Sequence, residues 1–415
     1  MKFPTRLLTT VILLAGGAGI SSAEPDSDGS PTSKPTVERV TTAVPFPRGL
    51  VMVDGELIAL SRGRVRGSGG ADTRLDDRAG TLWSIDPAIR EPLGEYGDAV
   101  KQNASVFAEP TSPPFRLLDR TLPAARDDDN TDRPYCTLRY DPTTEQFFIC
   151  GFSGVDLNGK SVDPTDAETG YFKKNYTDVI FAFSPGDGVW HEIDRHESSM
   201  GAAFPGTDAD GELRGYLKGP NNMLVYGRFL LAVGKDNNVM VAFDLTNERP
   251  PMVLPLDQLA TAGGVIEPRG ASGLAATNGQ LYVAFRTSGD ILRMPVDVWL
   301  AGEDFEVEPV AKFQAWNPAT GASSNITDID IDPKGRLYVI SAQPAKLFRF
   351  LPDPGDVKDF QNGEGAWADL AGETNNPRMK SENVLVHDGE VFVTSGDAYR
   401  DDGLGGAIYV VGPTD

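Results

Sequence analysis

Two groups of polar residues stand at matching points of this sequence and have the types needed for chemistry. The first is Glu382, Asn383, Asn222 and Asn325, one carboxylate with three amide oxygens. A hard cation such as Ca2+ takes about six to eight oxygen ligands of this kind, so the set reads as a candidate divalent-cation site. The same side chains have a plainer use, because Asn caps turns through bonds from side chain to backbone. The second group is cationic: Arg48, Arg62, Arg133, Arg269 and Arg286, with Lys235 as a further member. Guanidinium groups pair bidentately with carboxylate or phosphate, which points to a pocket for a small anionic or sugar-derived ligand such as a uronate. The alternative is that each arginine pairs with an Asp or Glu of a neighbouring loop, and acids are abundant here.

Other chemistries are poorly represented. Histidine is limited to His191, His196 and His387. His191 and His196 are five residues apart, where one helical face needs about four and a strand puts that spacing on opposite faces. No Gly-x-Ser-x-Gly elbow, phosphate-binding loop, dinucleotide fingerprint or haem-attachment motif occurs. The two cysteines, Cys136 and Cys150, flank a segment that reads as a hairpin turning at Asp141 to Glu145. Its midpoint sets the thiols opposite each other, which predicts a cross-strand disulfide in an exported protein and gives neither thiol a catalytic role.

Charge narrows the partners. The 415 residues carry 38 Lys and Arg against 60 Asp and Glu, a net charge of −22. That balance opposes binding to nucleic acid and to anionic membrane surfaces. Residues 1–23 run from Lys2 and Arg6 through an apolar stretch to Ser21-Ser22-Ala23, the order of a secretory signal peptide, and residues 24–36 read as a flexible leader. No later stretch has the roughly 18 apolar residues of a membrane span. The expected location is therefore periplasmic or extracellular, with a monomer favoured.

The elements that must position the two polar groups are short strands. A unit of strand, tight turn and strand recurs at 49–60, 222–233, 273–284, 326–340 and 383–393, with a less regular copy between the cysteines. Asp-Gly and Asn-Gly between apolar runs tolerate the positive φ of a hairpin turn. A third strand follows each unit and a weaker fourth follows most. The turn glycines Gly227, Gly279, Gly335 and Gly389 are 52, 56 and 54 residues apart. Near-constant spacing of four-strand units predicts an all-β fold, a β-propeller of six blades with seven as the alternative. Val37 to Val44 would serve as the outer strand of the last blade and close the ring, making residues 37–415 one domain. In such a ring the loops before the first strand and after the second strand of each blade converge on one face. Both polar groups lie in those loops.

Leu-Tyr-Val after Gly-Gln or Gly-Arg, and the turn Asp332-Pro-Lys-Gly-Arg336, resemble the six-bladed propellers of the NHL-repeat and gluconolactonase-like superfamily over residues 47–412. The resemblance implies a divalent ion held by Glu, Asn and Asp at the starts of inner strands. Here the Glu would come from the last blade, and the sequence does not place the Asp that would act as base. Members of the superfamily include lactonases, esterases, lyases and plain binding modules, so fold leaves activity open. The expectation is an exported, metal-assisted hydrolase or lyase acting on a small anionic or carbohydrate-derived substrate. The alternative is a non-catalytic propeller that binds a ligand or a protein.

Overall fold

The computed structural model describes residues 35–44, 47–61, 64–66, 73–75, 82–90, 104–108, 135–153, 176–185, 189–198, 216–217, 219–235, 237–314, 325–342, 344–361, 364–375, 379–396 and 406–412. The predicted signal and most of the leader, together with Arg62 and Arg133, lie outside them.

The described residues form a six-bladed β-propeller. Blade 1 runs outward from Pro47–Val53 through Glu56–Ser61 and Leu82–Ile85 to Ala104–Ala108, and blade 2 from Tyr135–Asp141 through Gln146–Ser153 and Tyr176–Ser184 to Val189–Ser198. Blade 3 comprises Pro220–Tyr226, Phe229–Gly234, Val239–Asp244 and Met252–Pro255, and blade 4 comprises Ala271–Thr277, Gln280–Phe285, Asp290–Pro295 and Glu308–Phe313. Blade 5 comprises Ile326–Ile331, Leu337–Ser341, Lys346–Phe350 and Ala368–Asp369. Blade 6 takes Ser381–His387, Glu390–Ser395 and Ala407–Val411 from the end of the chain and Val37–Thr41 from its beginning as the outermost strand. One strand crosses between blades, since Lys358–Phe360 lies parallel to the outer strand of blade 4.

Apolar side chains occur on both faces of the middle strands because each blade is packed between two others. Alternation sorts them. In blade 3, Leu231, Val233, Met240 and Ala242 face blade 4, while Leu230, Ala232, Val239 and Val241 face blade 2. Each of the six seams between blades has its own apolar layer of this kind. The core is thus divided into six slabs, and burying each Leu, Val or Phe in one contributes roughly 1.5–3 kcal/mol.

One prediction of register changes. The ladder between the first two strands of blade 2 runs unbroken from Asp141 opposite Gln146 to Thr137 opposite Cys150, so the turn sets Thr137, not Cys136, against Cys150, and Cys136 falls at the register slip beyond it. The Cys150 thiol is buried, with Sγ 3.5 Å from the Pro220 carbonyl. The Cys136 side chain is outside the described residues, so the disulfide remains an expectation. Among the described residues no helix is long and apolar enough to cross a membrane.

Candidate functional site

Every inner strand carries the same irregularity. Register slips between its first and third residues in all six blades, at Pro47/Gly49, Tyr135/Thr137, Pro220/Asn222, Ala271/Gly273, Ile326/Asp328 and Ser381/Asn383. A bulge of this sort bends the strand and re-aims side chains next to it. It makes Gly49, Thr137, Asn222, Gly273, Asp328 and Asn383 equivalent positions. Blades 1 and 4 use glycine there for lack of space: a Cβ on Gly49 would stand 2.4 Å from the Leu138 backbone nitrogen, and one on Gly273 2.9 Å from that of Ile329. Polar residues fill the other four.

Those polar residues converge on Asp328, which is 0% exposed. Asn222 Nδ2 donates to its Oδ1 at 2.5 Å, and the Ile329 N–H donates to the same atom at 2.9 Å. Asn383 Nδ2 donates to Oδ2 through a short bond, and the Val384 N–H donates to that oxygen at 3.1 Å. The carboxylate therefore has all its lone pairs matched by donors. Arg139 supplies positive charge from blade 2, its Nη2 lying 3.9 Å from Asp328 Oδ1 while donating to Asn222 Oδ1 at 2.8 Å. Asn383 Oδ1 accepts the Leu50 N–H of blade 1 at 3.1 Å, and Asn222 Nδ2 also donates to the Ser272 carbonyl of blade 4 at 3.2 Å. One polar network thus joins all six blades.

Burial pushes the Asp328 carboxyl up to about 7, against the opposing pull of Arg139 and the N–H donors. Asp330, two residues on, is pushed up to about 6 by burial although it accepts the Val386 N–H at 2.6 Å. Asp328 and Asp330 both take N–H groups from the inner strand of blade 6. Their first role is to satisfy a strand edge that would otherwise be buried without partners.

The predicted cation set divides. Asn222 and Asn383 both join the hub. Glu382 instead pairs with Arg48 across the seam between blades 6 and 1. Asn325 stands just ahead of the inner strand of blade 5 at φ 58°, with its carbonyl accepting the Ala342 N–H at 2.8 Å. The hub as arranged does not fit a hard cation. Both amide oxygens already accept hydrogen bonds, and both amide nitrogens face the carboxylate. Flipping Asn383 would set its NH2 against the Leu50 N–H and its oxygen against a carboxylate oxygen, so neither end can turn. Among the described residues no cluster of three or more His, Cys, Asp or Glu could hold a metal.

The predicted arginines divide as well. Arg48 is buried against Glu382, which follows the pairing alternative. Arg286 is half-buried just after the second strand of blade 4, with its N–H donating to the Gly270 carbonyl at 2.7 Å. Arg269 is exposed and, with Lys235, lines a pocket of about 580 Å³ at the seam of blades 3 and 4. Asp257, Gln258, Glu267 and Thr287 complete most of its wall.

Two local devices shape this pocket. Asn238 has φ 50°, a left-handed conformation that Asn tolerates, and it ties the pocket's segments together. Its Nδ2 donates to the Pro268 carbonyl at 2.8 Å and to Asp257 at 3.2 Å, while its Oδ1 accepts the Gly270 N–H at 3.1 Å. Gly270 has φ 74°, and a Cβ there would stand 2.5 Å from Thr287 Oγ1, so only glycine lets these two loops meet.

Sequence reasoning missed Asp328. The available signal was Ile326-Thr-Asp-Ile-Asp-Ile-Asp332, which places acids at every second position of an inner strand buried on both sides.

No protein-family profile matches the sequence, and no curated protein matches it. Solved structures with a similar course of chain include a PQQ-bound aldose sugar dehydrogenase from Streptomyces coelicolor, at 12% identity over 91% of this chain and 98% of that one, with a TM-score of 0.44. A calcium-binding regucalcin from Agrobacterium tumefaciens shares 9% identity over 91% and 93% of the two chains, with a TM-score of 0.43. A gluconolactonase from Xanthomonas campestris shares 11% over 91% and 89%, with a TM-score of 0.39. Likeness at this level carries none of their chemistry to this chain.

Proposed function

We propose that this chain is an exported propeller that binds a small carbohydrate-derived ligand carrying one anionic group, in the pocket between blades 3 and 4. The observation that carries the reading is the lining of that pocket. Lys235 and Arg269 face a cavity whose other polar groups are Asn238, Asp257, Glu267, Gln258 and Thr287. Two carboxylates beside two cations are unsuited to a polyanion. They suit a ligand with one negative group and several hydroxyls, because each hydroxyl both donates and accepts. The volume is that of a small-molecule site.

A panel of uronic and aldonic acids, their neutral parent sugars and simple carboxylates would test this by thermal shift and calorimetry. Sugar acids are expected to bind better than either control, and Arg269→Ala to weaken them by about tenfold, the loss of one charge-assisted contact. No binding by any sugar acid, or binding indifferent to Arg269 and Lys235, would overturn the reading.

A hydrolase or lyase acting on lactones is a second reading, supported by a carboxyl near the axis held close to neutrality, as acid–base groups are. Asp328 would have to be uncovered to act. Turnover of a lactone panel that disappears in Asp328→Asn while the fold is retained would support that reading. Turnover unaffected by the substitution would end it.

A further inference from the structure

The axial hub raises the question of where its positive charge comes from, and the answer is internal. We infer that the Arg139 guanidinium is the resident cation of the hub, so that the axis is closed to divalent ions. Four observations carry this. Every acceptor a metal would need is in use, since Asn222 Oδ1 takes Arg139 Nη2, Asn383 Oδ1 takes the Leu50 N–H, and Asp328 takes four donors. The guanidinium is locked, with Nη1 donating to Thr137 Oγ1 at 3.1 Å and to the Leu138 carbonyl at 2.8 Å. It is also near enough to Asp328, at 3.9 Å, to balance its charge directly. The nearby carboxylate of Glu382 has a cation of its own in Arg48. Each of these two acids is therefore matched by one arginine, and a divalent ion would meet two positive groups, while Asp330, the next acid along the strand, has its oxygens taken by the Val386 and Ile331 N–H groups.

Thr137 adds a structural reason for the arginine. It fills the post-bulge position of blade 2 and offers a hydroxyl that accepts from Arg139, two residues further along the same strand. Alternate residues of a strand share a face, so Thr137 and Arg139 are presented together. Blade 2 thus brings a cation where blades 3, 5 and 6 bring amides and a carboxylate.

The test is ion dependence at pH 8. CaCl2 against chelator is expected to shift the melting temperature of the wild type and of Asp328→Asn equally, whatever sites exist elsewhere. Arg139→Met should melt several degrees lower and gain a rise with Ca2+ or millimolar guanidinium that the wild type lacks, and Arg139→Lys should need no added ion. A Ca2+-induced rise in the wild type that Asp328→Asn abolishes would overturn the inference. A measurement without variants guards against misfolding: Mn2+ added to isotope-labelled wild type should leave the amide signals of Leu50 and Val384 sharp. Selective broadening of those signals by Mn2+ would equally overturn it.

Discussion

The axial hub and the pocket between blades 3 and 4 are made from the same kinds of residue, carboxylates, amides and basic groups, and they differ in how those groups are matched. At the hub, Asp328 is fully buried and each of its lone pairs meets a donor from the inner strands. In the pocket, Lys235, Arg269, Asp257 and Glu267 line an open cavity held in shape from behind by Asn238. A buried polar network stabilises only when it is complete, and completeness leaves nothing to offer a ligand. Loops on a rigid frame can present polar groups to solvent at small energetic cost, which is where binding is expected. In this ring the axis holds the blades together, and the seam is where recognition is proposed.

The contrast can be broken most severely at Asp328. Asp328→Ala leaves four donors without an acceptor and Arg139 without its counter-charge, and should cost about 4 kcal/mol in urea unfolding. A loss below about 1 kcal/mol would mean that the hub is not a structural centre. Gly49→Ala comes next. The added methyl would meet the Leu138 backbone, which cannot rotate away, so about 2–3 kcal/mol of stability should be lost. The corresponding Gly55→Ala in the first hairpin meets no atom within 4 Å and tests backbone strain alone, at φ 84°.

Acidity gives a smaller, graded test. Asp328 and Asp330 titrate at about 7 and about 6 in the folded chain, against about 3.9 when unfolded. A raised folded value means that the folded state keeps protons the unfolded state has released. The stability these groups contribute is therefore complete below about pH 4 and lost as pH rises through 7. Melting temperature should fall between about pH 4 and 7 from this cause and level off above it, and Asp328→Asn should flatten the upper part of the slope. A slope unchanged in that variant would show that the proton is held elsewhere. The smallest expected effect on folding is at the pocket, where Lys235→Ala or Arg269→Ala should change stability by less than about 0.5 kcal/mol while weakening ligand binding. A larger loss would make the pocket part of the frame and erase the distinction between the two regions.

Much of the frame was legible because it is local. Turn residues and two-residue alternation act over a few residues, and they located the hairpins, with Asp-Gly or Asn-Gly marking those of blades 1, 4 and 6. The disulfide geometry shows the limit. A midpoint between Cys136 and Cys150 assumes a turn centred between them, but the strands close with Asp141 opposite Gln146, which already sets Thr137 opposite Cys150 before the bulge is reached. The site was legible only in part. Asn222 and Asn383 were singled out by their positions at inner-strand starts, but their shared partner was hidden inside an apolar run. Asn222 finds Asp328 at a separation of 106 residues, and Leu50 finds Asn383 across 333.

The sequence alone determined that the chain would form a ring of hairpins, because turn chemistry and hydrophobic period are properties of neighbouring residues. It also determined which residues stand at the mouths of the strands. Only the tertiary structure decided which of them face one another. That depends on the recurring bulge and on the packing of each blade against the next, and it turns two amides expected to hold a cation into donors to a buried carboxylate. The same packing ties Arg48 to Glu382 and leaves Arg269 and Lys235 at the edge of a cavity. Residue type sets what a side chain can do, and the partner that packing brings to it sets what it does.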